Sequence, residues 1–482
     1  MQSGDPSAPK PKHPLHFVLR AASSLVAMSA VTSALGFAYW LIAARHFSPV
    51  SVGKSSTAIA AMSLIAPFTV LGLGTLLVTE LPTMTRGGRA KLVSTAACVT
   101  GAVGALAAAA CAFFLPSSFV GIPNIGHEIG ITVLFIAATA TQGIGMLLDN
   151  ALLSLLGGGT QLKRNAIQAV SKLVLLVALA AMAISSHGSF IIFGSWFFAN
   201  VLSIAFVGIT LMRRYHVKLS ELVPKLSALR GLHLDAFRHH LLNIALFVPF
   251  FAMPIVANVT LGNEQAGHFY IAWSIAGLLF YLPISLSTAL FASGARSSRN
   301  FLKEFHFTVR TSLLICTAAN LVLLALGPWI LSFVGSSYAA EGRIPLAVIA
   351  LGGLGLVIKD HHVVLARITN NVGREGFLIA FLSAFEVTGA AIGGFRHGLL
   401  GLAIGWTTAV ALEALICAPW VWRAYRGRVT LPEEAQNLVI APEDLESMNL
   451  DPTNLNVTNA DPAHLGAKNF GPKDLGKDGR DT

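Results

Sequence analysis

Twelve stretches of about twenty apolar residues follow one another along this chain, and they leave it few ways to fold. A helix rises about 1.5 Å per residue, so a run of that length crosses a ~30 Å hydrocarbon core. Lipid offers the backbone no partners, so a crossing segment must be a helix or part of a closed barrel. Alternating ten-residue strands are absent, which leaves helices. The predicted spans of the first half are Ala21–Ala44, Ser55–Val78, Val93–Leu115, Ile129–Leu155, Ala166–Ile184 and Phe190–Met212. Those of the second half are Leu241–Leu261, Phe269–Ser293, Thr311–Val334, Ile344–Leu365, Phe377–Gly394 and Leu399–Val421. Charged residues make up only 12% of the chain, about half what a soluble surface needs. The four cysteines, Cys98, Cys111, Cys316 and Cys417, all fall inside apolar runs and read as small buried residues rather than disulfides or a metal cluster. The basic start (Lys10, Lys12, Arg20) leads into a run long enough to span, so it reads as a retained first membrane helix.

Charge orients the bundle. With the N-terminus in the cytoplasm, 23 Lys and Arg lie in or beside cytoplasmic loops, and only Arg45, Lys54, Arg343 and Arg396 lie outside. The cytoplasmic set includes Arg86, Arg89 and Lys91, the pair Lys163 and Arg164, and the basic run from Arg213 to Arg238. This is the positive-inside pattern of a plasma-membrane (bacterial inner membrane) protein with both termini in the cytoplasm. The net charge of +10 is then topological and needs no nucleic-acid partner.

The longest loop separates two halves that resemble each other. At a constant offset of 214 residues, Ala43, Gly53, Ala58 and Leu64 match Ala257, Gly267, Ala272 and Leu278. Ser118-Phe119-Val120-Gly121 matches Ser332-Phe333-Val334-Gly335 at the same offset. Gly143-Ile144-Gly145 ahead of Asp149 echoes Gly353-Leu354-Gly355 ahead of Asp360, slightly out of register. Six helices per repeat is an even number, so the repeats enter the membrane in the same direction and share a cavity. The predicted fold is an all-α integral membrane protein of twelve transmembrane helices, two six-helix repeats around a central cavity. Its parts are a cytoplasmic segment (1–20), a first half (21–212), a cytoplasmic linker (213–240), a second half (241–421) and an acidic tail (422–482).

The turn Ala43-Ala44-Arg45-His46-Phe47-Ser48-Pro49-Val50-Ser51-Val52-Gly53 resembles that between the first two helices of bacterial polysaccharide and O-antigen flippases. Its counterpart, Leu261-Gly262-Asn263-Glu264-Gln265-Ala266-Gly267-His268-Phe269-Tyr270, does so too. Those flippases belong to the multidrug/oligosaccharidyl-lipid/polysaccharide export superfamily. The resemblance implies export of a lipid-linked saccharide, with a cationic lumen for its pyrophosphate. The chain departs from the pattern in having twelve spans where peptidoglycan-precursor flippases have fourteen, and in placing Lys54 where an apolar or aromatic residue is usual.

An ionisable group at mid-span costs about 2.5–3.5 kcal/mol on insertion scales unless it meets water or a partner. Such groups are therefore the candidate site. Asp149, Lys172 and Lys359 are each read as lying near the inner third of the bilayer, with Asp360 next to Lys359 in the same span. In the functional reading Lys359, Arg367 and Lys172 hold an anionic headgroup, with Asp149 and Asp360 beside it. In the plain reading the lysines snorkel to the headgroups, or Asp149 pairs with Lys172. Glu386 and Glu413 sit deeper and are candidates for coupling to a proton or cation; interhelical hydrogen bonding is the bland alternative. His361-His362 is adjacent rather than spaced for a metal, no HExxH or CxxC occurs, and no cofactor is expected.

After Thr430 the chain carries ten acids against four bases and reads in fives from Ala441, like a pentapeptide repeat too short for a stable solenoid. A disordered acidic tail is expected. Three functions remain open. The first is a flippase whose partners are a lipid-linked saccharide, membrane lipids and a coupling proton or cation. The second is a small-molecule or drug-cation antiporter. The third, a membrane-embedded polysaccharide polymerase or ligase, is disfavoured because the longest external loop, residues 116–128, is too short for a catalytic loop.

Overall fold

A computed structural model describes residues 34–429, apart from 83, 122–128, 157, 182–187, 218, 230–233, 295–300 and 370. The expected N-terminal segment, the first part of the first span and the acidic tail lie outside the described residues. Every regular element within them is helical: α1 (34–46), α2 (Pro49–Thr69), α3 (Leu73–Glu80), α4 (Arg86–Phe114), α5 (Ser117–Val120), α6 (Ile129–Leu156), α7 (Gly158–Ala181) and α8 (Gly188–Tyr215) come first. Two short 3-10 turns, Leu219–Leu222 and Leu226–Leu229, then precede α9 (Leu234–Leu261), α10 (Asn263–Gly294), α11 (Phe301–Val334), α12 (Ser336–Ile368) and α13 (Val372–Tyr425). Among the described residues nine helices are long and apolar enough to cross a membrane: α4 and α6 through α13. The chain is a multi-pass membrane protein.

Two predicted boundaries change. The span predicted over Ser55–Val78 is broken into α2 and α3. Pro67 has no N–H to continue the ladder, and Leu71 (φ 52°) and Gly72 (φ 75°) take left-handed backbone about one turn later. The two spans predicted over Phe377–Gly394 and Leu399–Val421 are the arms of α13, folded back at His397 and Gly398. Gly398 takes φ 65° and ψ −151°, which a side chain would oppose.

Glycine seams set how closely these helices approach. In the α13 hairpin a Cβ on Gly393 would overlap the Gly401 carbonyl, and one on Gly401 would overlap that of Gly393. Gly389 and Gly405 meet in the same reciprocal way. Each arm therefore presents a Gly-x-x-x-Gly stripe, and the two backbones touch.

A second reciprocal contact joins the halves. A Cβ on Gly53 of α2 would overlap the Asn263 carbonyl of α10, and one on Gly267 would overlap the Pro49 carbonyl. Residues 53 and 267 stand 214 apart, as do 49 and 263, so the contact obeys the repeat offset read from the sequence. Around it, Trp40 meets Tyr270 edge-on at 4.4 Å, Arg45 Nε donates to the Phe333 carbonyl at 2.7 Å, and Asn258 Nδ2 donates to that of Ser118 at 2.8 Å. At this end one apolar core runs through both halves. At the other end the cores separate. One, around Leu77, Leu92 and Leu147, belongs to the first half; another, around Phe301, Phe305 and Leu365, belongs to the second. The halves are thus joined at one end and splayed at the other.

Gly393→Leu should force the α13 arms apart. A backbone carbonyl cannot yield as a flexible side chain can, so the cost should exceed the usual ~1–3 kcal/mol of overpacking. Thermal unfolding of the purified protein in detergent checks this, with Gly373→Ala, which meets no atom within 4 Å, as the silent control.

Candidate functional site

The α13 hairpin packs against α12, and Gly352 of α12 leaves the space that the Trp406 ring fills. This seating turns one carboxylate from each arm toward the same lysine. Lys359 Nζ donates to Glu386 Oε1 and lies 2.9 Å from Glu413 Oε2. Trp406 Nε1 donates to Glu386 Oε2 at 2.8 Å. None of the four residues is more than 4% exposed. A 2.9 Å ion contact is worth about 6 kcal/mol at an effective dielectric near 20, comparable with the several kcal/mol needed to desolvate each ion. The pairing therefore makes burial tolerable rather than strongly favourable. With both carboxylates ionised, one ammonium between them leaves a net charge of −1, and Glu413 Oε1 has no hydrogen-bond partner among the described residues. The triad is a place where one proton or one monovalent cation restores neutrality.

The other predicted residues are dispersed. Asp360 and Arg367 sit on α12 within electrostatic reach of each other, with the Arg367 guanidinium 5.6 Å from the Phe291 ring centre and Asp360 Oδ2 buried with no hydrogen-bond partner among the described residues. Asp149 pairs with Arg164 Nη1 at 2.5 Å, not with Lys172. Arg164, expected in a cytoplasmic loop, is buried, because α7 begins at Gly158, eight residues before the apolar run. The same early start corrects the depth expected of Lys172, which lies fourteen residues into α7; Asp149 is seven residues from the end of α6 and Lys359 nine from the end of α12. Lys172 is 7% exposed and stacks on Trp196 at 3.8 Å and Tyr39 at 5.6 Å. Gln168 donates to Asn200, and Asn200 to Gln142, a chain tying α7, α8 and α6 together.

Matched to known proteins by sequence, the chain meets no family model and no curated protein. Solved structures do match. The chain is similar to the inward-facing conformation of a multidrug resistance MATE family transporter of the MOP superfamily (TM-score 0.59, 15% identity, 84% of this chain and 98% of that one). It is similar to the outward-facing conformation of such a transporter (TM-score 0.58, 13% identity, 87% and 97%). A MOP superfamily transporter from Pyrococcus furiosus, described as having a binding pocket of reverse polarity, matches at TM-score 0.58 and 13% identity over 87% and 98%. The fold is that of the MATE transporters. At such identities the likeness speaks for the fold alone.

Four site residues escaped the sequence reading: Arg164, Trp196, Tyr39 and Trp406. The indoles had a signal, because residues 196 and 406 stand 210 apart while Lys172 and Glu386 stand 214 apart. Each half of this MATE-type fold therefore sets an indole on its last helix against an ionisable group on the helix before it, a base in the first half and an acid in the second, with the indoles about one turn out of the repeat register. Lys359→Met should destabilise the protein by about 3–5 kcal/mol, because it leaves two buried carboxylates without a counter-ion. Adding Glu386→Gln and Glu413→Gln should recover most of that loss. Denaturant unfolding of the single and triple variants checks the pair of outcomes.

Proposed function

We propose that the chain is a membrane exporter working by alternating access, an antiporter that exchanges small organic cations for protons or another monovalent cation. The observation that carries this reading is the triad of Lys359, Glu386 and Glu413. Its single surplus negative charge accepts a proton or a cationic substrate but not both, and competition for one charge is the physical basis of antiport. The lysine, already engaged by two carboxylates, is poorly placed to bind a diphosphate; this argues against the anion-ligand role first assigned to it. Likeness to structures described as multidrug transporters favours the antiporter over a polymerase or ligase.

Counting α1, α2 with α3, and the two arms of α13 beside the eight other long apolar helices gives twelve crossings, six in each half. With the basic loops in the cytoplasm, the Gly53–Gly267 crossing faces outside and the end at which the two cores are separate faces inward. Both termini then lie in the cytoplasm. Alternating access would separate the halves at that crossing and close them at the other end.

A lipid-linked saccharide flippase is the second reading. It is favoured by the resemblance of residues 43–53 and 261–270 and by Lys172, a buried cation with no carboxylate in ion-pair range among the described residues. Asp149, Asp360 and Arg367 then remain candidates for the substrate path.

Proteoliposomes separate the readings. Ethidium uptake should follow an imposed pH gradient in the wild type, and Glu386→Gln and Glu413→Gln should each abolish that dependence, because an amide releases no proton. Unchanged gradient dependence in both variants would remove the triad from coupling. Absence of organic-cation transport, with transfer of a lipid diphosphate-linked saccharide between leaflets, would establish the second reading.

A further inference from the structure

Two buried titratable side chains lie between the triad and the splayed end of the second half, and neither has a role so far. His362 is on α12, one helical turn beyond Lys359 toward the end of that helix. Glu375 is in the first turn of α13, directly after the α12–α13 turn. His362 Nε2 and Glu375 Oε2 are 3.0 Å apart, and the two residues are 4% and 9% exposed. The second arm of α13 closes over them. Trp420 packs edge-on against the imidazole at 4.8 Å, and the Cys417 carbonyl lies beside it. Cys417 stands one turn from Glu413 on the same helix. The Nδ1 atom of His362 is buried with the Cys417 carbonyl as its neighbour, and Oε1 of Glu413 has no hydrogen-bond partner among the described residues.

The surroundings leave few competing partners. Ala245 and Leu246 of α9 share an apolar cluster with Val363 and Cys417. From α11, Thr308 takes up the neighbouring His361, whose Nδ1 faces the Val357 carbonyl. Asp360 and Arg367 complete the charged groups of α12 near this site. His362 therefore has a carboxylate on Nε2 and the Cys417 carbonyl beside the imidazole, with the triad one turn away.

We infer that Glu375 and His362 form the proton relay through which the triad exchanges protons with water at the splayed end. The inference rests on the coupling role proposed for the triad. On uptake, a proton from water binds the Glu375 carboxylate and passes from Oε2 to His362 Nε2. The proton on His362 Nδ1 then passes through a bridging water molecule to Glu413 Oε1, which stands one turn along α13 from Cys417. The imidazole ends as the other tautomer and resets by turning over, and release runs the same steps backward. An imidazole suits this task because it donates and accepts at once near neutral pH. No electron moves, and each proton lost by one group is gained by the next.

The proton itself is the probe, so the test needs no substrate. The full-length protein in lipid nanodiscs is subjected to a downward pH jump, and the infrared C=O stretch of protonated carboxyl groups is followed in time. Bands lost in Glu386→Gln or Glu413→Gln identify the triad. His362→Ala should slow growth of that band by about tenfold or more, in line with the loss of a positioned proton-transfer group, without changing its final amplitude. Added imidazole should restore the rate in His362→Ala but leave Glu375→Gln slow. His361→Gln, off the path, should match the wild type. Wild-type rates in both His362→Ala and Glu375→Gln would overturn the relay while leaving triad coupling intact. A carboxyl band unaffected by Glu386→Gln and Glu413→Gln would instead overturn the coupling role on which it rests. Should His362→Ala fail to fold, Glu375→Gln decides alone, with Glu375→Asp expected to recover the rate.

Discussion

Charge held away from water has to be balanced within a few ångströms, and in this chain Lys359 is the point of balance. Two carboxylates from opposite arms of α13 converge on one ammonium of α12. That convergence is possible only because Gly389 and Gly393 meet Gly405 and Gly401 backbone to backbone, and because Gly352 makes room for Trp406. Small residues thus do in lipid what apolar burial does in water: they permit close approach, and the close approach assembles a polar site. With both carboxylates ionised, one cation between two anions leaves a surplus negative charge, the basis of the coupling role proposed for the site.

The same economy of space operates between the halves. Gly53 and Gly267 form a reciprocal contact, each against the carbonyl of the other helix's first residue. A joint built on such a contact is tight but narrow. The apolar core around it is shared, while the cores at the far end belong to one half or the other. An alternating-access motion of the kind proposed above would pivot at this shared end. Within the halves the chemistry has diverged. Lys172 stacks on Trp196 in the first half, and Glu386 accepts a hydrogen bond from Trp406 in the second.

Much of this was legible in the sequence, for reasons that particular residues make clear. Apolar runs locate helices because lipid enforces them, and the offset of 214 marked Gly53 and Gly267 as equivalent positions of two repeats; that these two positions also touch is seen only in the structure. Glu386 and Glu413 stood out as mid-span carboxylates, and their partner had to come from another helix. That the partner is Lys359 could not be read, because the pairing depends on how the α13 hairpin docks on α12. Hydropathy also misplaced the start of α7. The amphipathic turns from Thr160 to Asn165 carry Lys163 and Arg164 and so look like a loop, yet Arg164 is buried against Asp149. The break after α2 was equally hidden, because Pro67 is compatible with a kinked but continuous helix and only the left-handed Leu71 and Gly72 end it.

The central claim is that the charge state of the triad sets which end of the molecule is closed. Electron–electron distance measurements on spin labels test it most directly. One pair, at Lys163 and Arg374, reports the splayed end; the other, at Ser117 and Ser336, reports the joined end, and all four positions are exposed. Lowering the pH should move the two distances in opposite directions, and Glu386→Gln combined with Glu413→Gln should hold both at their low-pH values whatever the pH. Distances that change together, or that follow pH unaltered in the double variant, would contradict the account.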